Sequence, residues 1–168
     1  MSRKVGAIQD IELINVPQSE FELVFTAVKQ GIFPYVESLF GWDDQFQRER
    51  LTSSYRPQWF SWILHGGERI GLLCSKPYED AQHVHLLIIF PQYQGWQLGA
   101  AVMERLHQEA EREGKCRVTL SSFTENHGAI RFYERLGYNV VEEDQAFVSM
   151  SRPLGCDLGL KKVVNGEL

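Results

Sequence analysis

The sequence predicts an α/β (α+β) domain with a mixed, mostly antiparallel central sheet of about seven strands, flanked by about four helices. Three observations predict it. "PQWFSWILHGGERIGLLCSKP" (57–77) reads as two strands around Gly66 and Gly67, a hairpin. "HVHLLIIF" (83–90) is a strand that becomes apolar on both faces and runs into the loop "PQYQGWQLGAA" and then a helix. "NVVEE" and "AFVSMSR" close the pattern as two short strands expected to pair.

Each element has a local reason. "IQDIELINVP" alternates apolar and polar residues and is stopped by Pro17. Ser19 is suited to capping a helix, with Glu22 three residues on as its partner; Phe21, Val24, Phe25 and Val28 share a face, and Gly31 is expected to end it. A second amphipathic segment is expected from about Pro34 into "SLFGWDDQFQRERL", broken or bent at Gly41, with Asp43 or Asp44 as a cap. After the glycine loop, Leu98, Val102, Leu106 and Ala110 recur every fourth residue, a helix over about 96–113 stopped by Gly114. "CRVTLSSF" is a strand, and "NHGAIRFYERL" a helix opened by Asn126 and closed by Gly137. The order is β-α-α-β-β-β-α-β-α-β-β, with no internal repeat. Residues 1–154 are expected to form one domain and 155–168 a loosely ordered tail.

Composition bounds the function. A net charge of −5 over 168 residues lacks the basic surplus of a general nucleic-acid binder. It permits an anionic ligand, because a helix N-terminus holds phosphate without a basic surface. The longest apolar run, "LLIIF", is too short to span a membrane, and the first residues lack the apolar core of a signal peptide, so a cytoplasmic protein is expected. Cys74, Cys116 and Cys156 have no metal-ligand spacing; the first two are expected as small buried hydrophobes and no metal site is expected.

In the loop, Gly95 and Gly99 permit close backbone approach beside a helix N-terminus, a common way to hold phosphate. No Gly-Lys-Ser/Thr follows, which excludes a nucleotide-triphosphate P-loop, and the strand does not open a dinucleotide-binding β-α-β unit. "LLIIFPQYQGWQLGAAVMERL", then a strand, then "NHGAIRFYERLGY", resembles the GNAT superfamily of N-acetyltransferases over about Val84 to Tyr138. The resemblance implies the pyrophosphate loop of acetyl-CoA at Gln94, Gly95, Trp96, Gln97, Leu98 and Gly99, with Ala100 at the helix start. It implies pantetheine contacts from the strand end Ile88, Ile89 and Phe90. It places Asn126 and Ala129 near the cofactor and Tyr133 beside the thioester sulfur. Gln97 departs from the pattern, standing where the family has a loop glycine. Its backbone is therefore expected in a region open to any side chain, with its amide facing the phosphates.

Acetyl transfer to an amine needs a deprotonated amine, a stabilised oxyanion and a protonated leaving thiolate. The resemblance makes Tyr133 the acid, and backbone amides near Ile89 the donors to the thioester oxygen. His83 and His85 flank Val84, so both project from one strand face, where they could act as bases, directly or through water. "HVHLLII" is similar to the His-x-His of arylalkylamine N-acetyltransferases. His65, His107 and His127 read as turn, helix-surface and helix-start residues. Phe33, Tyr35, Phe40, Trp42, Phe46, Tyr55, Trp59, Phe60 and Trp62 enrich the N-terminal half in rings, some of which could wall a pocket for an apolar amine; Asp43 and Asp44 could receive a cationic one.

The expected activity is transfer of an acetyl group from acetyl-CoA to a primary amine of a small molecule, directly in a ternary complex, by a monomer or homodimer. Protein amino groups are the alternative acceptor, and a silent acyl-CoA-binding module the alternative function.

Overall fold

The computed structural model describes residues 10–95 and 97–155. The elements follow the expected order: β1 (Ile11–Asn15), α1 (Phe21–Phe40), α2 (Asp44–Ser53), β2 (Phe60–His65), β3 (Glu68–Tyr78), β4 (Ala81–Ile89), α3 (Leu98–Arg112), β5 (Arg117–Phe123), α4 (His127–Arg135), β6 (Asn139–Glu143) and β7 (Phe147–Pro153). The sheet has seven strands in the order β1-β2-β3-β4-β5-β7-β6, mostly antiparallel, as the sequence predicts.

The chain divides into two compact units: residues up to Lys76 with Val84–Arg105, and Pro77–His83 with residues from Leu106 onward. In the first, β1 pairs antiparallel with β2 and β2 with β3, the latter pairing shifting register between Ile63 and Leu64. Val24, Phe25 and Val28 of α1 pack with Leu51, Phe60, Trp62, Leu72 and Ile88 into one apolar cluster, so the α1 stripe read from the sequence is the core-facing one. In the second, β7 pairs antiparallel with both β5 and β6. There His107 is buried, 3% exposed, and its Nε2 lies 2.7 Å from the Tyr138 hydroxyl, which corrects its expected place on the helix surface. Its helical period reads correctly; a polar partner 31 residues away made burial acceptable.

Two helix boundaries differ from expectation. α1 runs unbroken through Gly31 and Pro34 to Phe40 and ends at Gly41. Gly31 is there for proximity: a Cβ on it would meet Ile88 side-chain atoms at 2.8 and 2.9 Å. The Ser19–Glu22 capping box does not form: a short 3-10 turn spans Gln18–Glu20, and the residue before α1 makes no side-chain cap. Glu22 instead pairs with Arg48 of α2. Asp43 caps α2, accepting from the Phe46 amide at 2.9 Å, one of the two options read from the sequence. Cys74 is buried and free, as expected, whereas Cys116 is disulfide-bonded and Cys156 lies outside the described residues. The expected tail falls almost wholly outside them too.

Candidate active site

In the first unit, β4 ends at Ile89, a short 3-10 turn covers Pro91–Tyr93, and α3 opens at Leu98. The amides at the start of α3 have no partner one turn back within the helix and are turned out of its N-terminal end with the positive end of the helix dipole. Gly95 has φ 82° and Gln97 φ 62°. The second value overturns the expectation for Gln97: its backbone is left-handed, the conformation for which glycine is suited, and its side chain is exposed. Gln97 thus carries a Cβ in a conformation that favours glycine. That strain is worth about 1–2 kcal/mol. Gln97→Gly should therefore stabilise the protein by about 1 kcal/mol and raise Tm by about 2–4 °C in calorimetric melting. Trp96 lies outside the described residues.

The strand end is tied to the loop. The Gln94 side-chain amide donates to the Ile89 carbonyl at 2.8 Å. The Tyr93 hydroxyl donates to Glu68 at 3.2 Å. The Phe90 amide donates to the Ile70 carbonyl at 2.8 Å, which removes it from the backbone donors expected near Ile89. Ile88 is buried, whereas Ile89, Phe90, Gly99 and Ala100 are partly exposed. Leu98 is buried at 1% and anchors the first turn of α3.

His85, on β4, lies against two rings, stacked on one and tilted to the other. The Trp59 ring lies 5.6 Å away at 19°, and the Tyr55 ring 5.0 Å away at 30°. Burial pushes the Tyr55 phenol up, against the opposing pull of Arg50, so it stays protonated. His83, two residues earlier, belongs to the second unit, where its Nδ1 lies 2.7 Å from the Thr119 hydroxyl of β5. The two imidazoles engage different partners.

Also in the second unit, Asn126 caps α4, its side chain accepting from the Ala129 amide at 3.2 Å. Tyr133 is buried and packs edge-on against Phe132 at 5.0 Å and Tyr138 at 5.6 Å. Its hydroxyl makes no hydrogen bond among the described residues, and burial alone drives its pKa upward from the ordinary phenol value. Asn126, Ala129 and Tyr133 thus sit together on one short helix. Ile88, Ile89, Phe90, Gln94, Gly95, Gln97, Leu98, Gly99, Ala100 and His85 belong to the first unit.

The carboxylates suggested for a cationic amine are committed elsewhere. Asp43 is the α2 cap, and Asp44 accepts from Trp42 and from Lys29 at 2.9 Å, which hold it below the usual carboxylate range. Tyr55 and Phe60, two of the rings named from the sequence, border an apolar cavity of about 290 Å³. Its walls come from separate segments, and only the ring-rich composition hinted at it.

Comparison with known proteins follows the same lines. The model of the acetyltransferase (GNAT) family matches residues 25–138. An uncharacterised N-acetyltransferase of Methanocaldococcus jannaschii is 22% identical over 134 residues, covering 69% of this chain but only 58% of that protein. Among solved structures, PaiA N-acetyltransferase from Thermoplasma acidophilum, in complex with coenzyme A, superposes with a TM-score of 0.67 at 13% identity, over 85% of this chain and 98% of that one. An acetyltransferase from Thermus thermophilus gives 0.68 at 20%, over 88% and 99%. The ribosomal-protein alanine N-acetyltransferase of Escherichia coli gives 0.63 at 18%, over 86% and 94%. At these identities the structural likeness concerns the fold.

Proposed function

The chain belongs to the GNAT acetyltransferase family, and from that premise we propose that it transfers an acetyl group from acetyl-CoA to the primary amine of a small molecule, directly in a ternary complex. The observation that carries the cofactor assignment is the loop: Gln97 has a left-handed backbone just before the opening turn of α3, at the position where the resemblance puts a loop glycine. A residue held in a conformation that costs about 1–2 kcal/mol is supported by something other than local preference, and a phosphate-binding turn supplies the reason.

The residues present fit this co-substrate. Gln94 to Ala100 would hold the pyrophosphate against the opening turn of α3, and Ile88 to Phe90 would lie along the pantetheine arm. When bound, acetyl-CoA supplies the acetyl group and the thiol leaving group. His85, or His83 through water, takes a proton from the attacking amine. Tyr133 holds a proton that its burial keeps in place and gives it to the departing sulfur. Direct transfer is favoured over an acyl-cysteine route because burial pushes the Cys74 thiol up to about 12 and Cys116 is disulfide-bonded.

The test is a panel of primary amines incubated with acetyl-CoA and protein, with free thiol measured over time. Thiol release that requires an amine, and yields the matching acetamide by mass spectrometry, is the expected result. Tight acetyl-CoA binding with no release on any amine would leave a silent acyl-CoA-binding module. Absence of calorimetric binding would overturn the cofactor assignment itself.

A further inference from the structure

The cavity of about 290 Å³ lies wholly within the first unit, walled by the segment after β1, the first turn of α1, the end of α2 and the approach to β2. None of its lining residues belongs to the cofactor set derived above. We propose that it receives the apolar, ring-sized body of the acceptor, so that the substrate class is a primary amine carried on an uncharged aryl or compact alkyl group. The inference rests on the acetyl-transfer reading.

Three observations lead there. The cavity's volume sits at the small end of ligand pockets, about 300–1,000 Å³, enough for one ring system and too little for a folded peptide segment. Its lining is apolar, with Phe21, Leu51 and Phe60 beside Gln18, Thr52 and Tyr55, and no charged residue contributes. A hydrophilic or multiply charged amine would lose its hydration there without gaining a partner. Finally, Tyr55 belongs to the cavity wall and also lies against His85, ring centroids 5.0 Å apart. Its ring offers an aromatic face to the occupant, and its phenol, which makes no hydrogen bond among the described residues, can meet a polar atom. The body of the acceptor therefore lies one ring away from the imidazole proposed to take the proton.

Benzylamine and ethanolamine, amines of similar basicity and opposite bodies, test this. The expected result is a kcat/KM for benzylamine about tenfold or more above that for ethanolamine. Thr52 is exposed on α2 and lines the cavity, so Thr52→Trp fills the opening from the surface with little risk to folding, checked by circular dichroism. It should cut the benzylamine-to-ethanolamine ratio by about tenfold and abolish benzylamine binding in calorimetry. Equal kcat/KM values for the two amines, or a ratio unchanged in Thr52→Trp, would overturn the proposal while leaving acetyl transfer standing. Benzylamine binding that is lost in Thr52→Trp, with no turnover of either amine, would support the cavity as an aryl-amine site and remove the transferase reading instead.

Discussion

Tyr133→Phe should lower kcat about a hundredfold while leaving the KM for acetyl-CoA within about twofold, the pattern of a group that acts mainly in the transition state. The ring stays edge-on to Phe132 and Tyr138 in the variant, because only an oxygen that makes no hydrogen bond among the described residues is removed. Melting temperature at neutral pH should therefore change little. The acid role depends on the phenol remaining protonated wherever the amine is deprotonated, and burial raises its pKa, so the wild-type rate should not lose this acid on an alkaline limb below about pH 10. The same shift has a stability consequence of definite sign. The folded phenol has the raised pKa, so its contribution is fully present below the unfolded value of about 10 and is lost as pH rises beyond it. Tyr133→Phe should lack that part of the alkaline decline. An unaltered kcat would return Tyr133 to the role of a core aromatic.

The strands were legible because their patterns are local: alternation in β1, the paired glycines of the β2–β3 turn, and the apolar run of β4 all report on neighbours close in sequence. The α1 boundary was not. Gly31 and Pro34 are helix breakers by intrinsic preference, yet Gly31 answers to Ile88, 57 positions away, where its lack of a side chain lets the helix approach the strand. Glu22 looks like a capping partner for Ser19 but is claimed by Arg48, another long-range choice. The loop shows the opposite limit. Its place, its length and its helix were readable, but the conformation of Gln97 was inferred from side-chain preference, and the loop imposes the glycine geometry regardless. The cavity required knowing that residues 16–24 and 51–60 meet, which no spacing reveals.

Gly71→Ala should be strongly damaging, costing about 3 kcal/mol and lowering Tm by about 6–12 °C. A Cβ built at Gly71 overlaps the Ile88 carbonyl oxygen and falls 3.1 Å from the Ile88 carbonyl carbon and 3.2 Å from Ile89 Cα. These are backbone atoms, so no rotamer change relieves the contact; β3 and β4 must move apart. Gly31→Ala is the informative control. The three atoms nearest its Cβ all belong to the Ile88 side chain, at 2.8, 2.9 and 3.1 Å, so a buried, β-branched side chain rather than backbone has to give way, while alanine recovers about 1 kcal/mol of helix preference over glycine. Its net cost should therefore be about 1 kcal/mol, well below that of Gly71→Ala. The two glycines press on the same residue from two sides, one on its carbonyl and one on its side chain. Ile88 begins the strand end proposed to carry the pantetheine arm, and Gln94 fastens to the next carbonyl along. Displacing β4 at Ile88 should thus weaken acetyl-CoA binding in the folded fraction of Gly71→Ala by more than its loss of stability explains, whereas Gly31→Ala should bind nearly as wild type. A Gly71→Ala protein that melts within about 2 °C of wild type would show that the strands yield at this point, and that the position of the strand end is set from the loop rather than from β3.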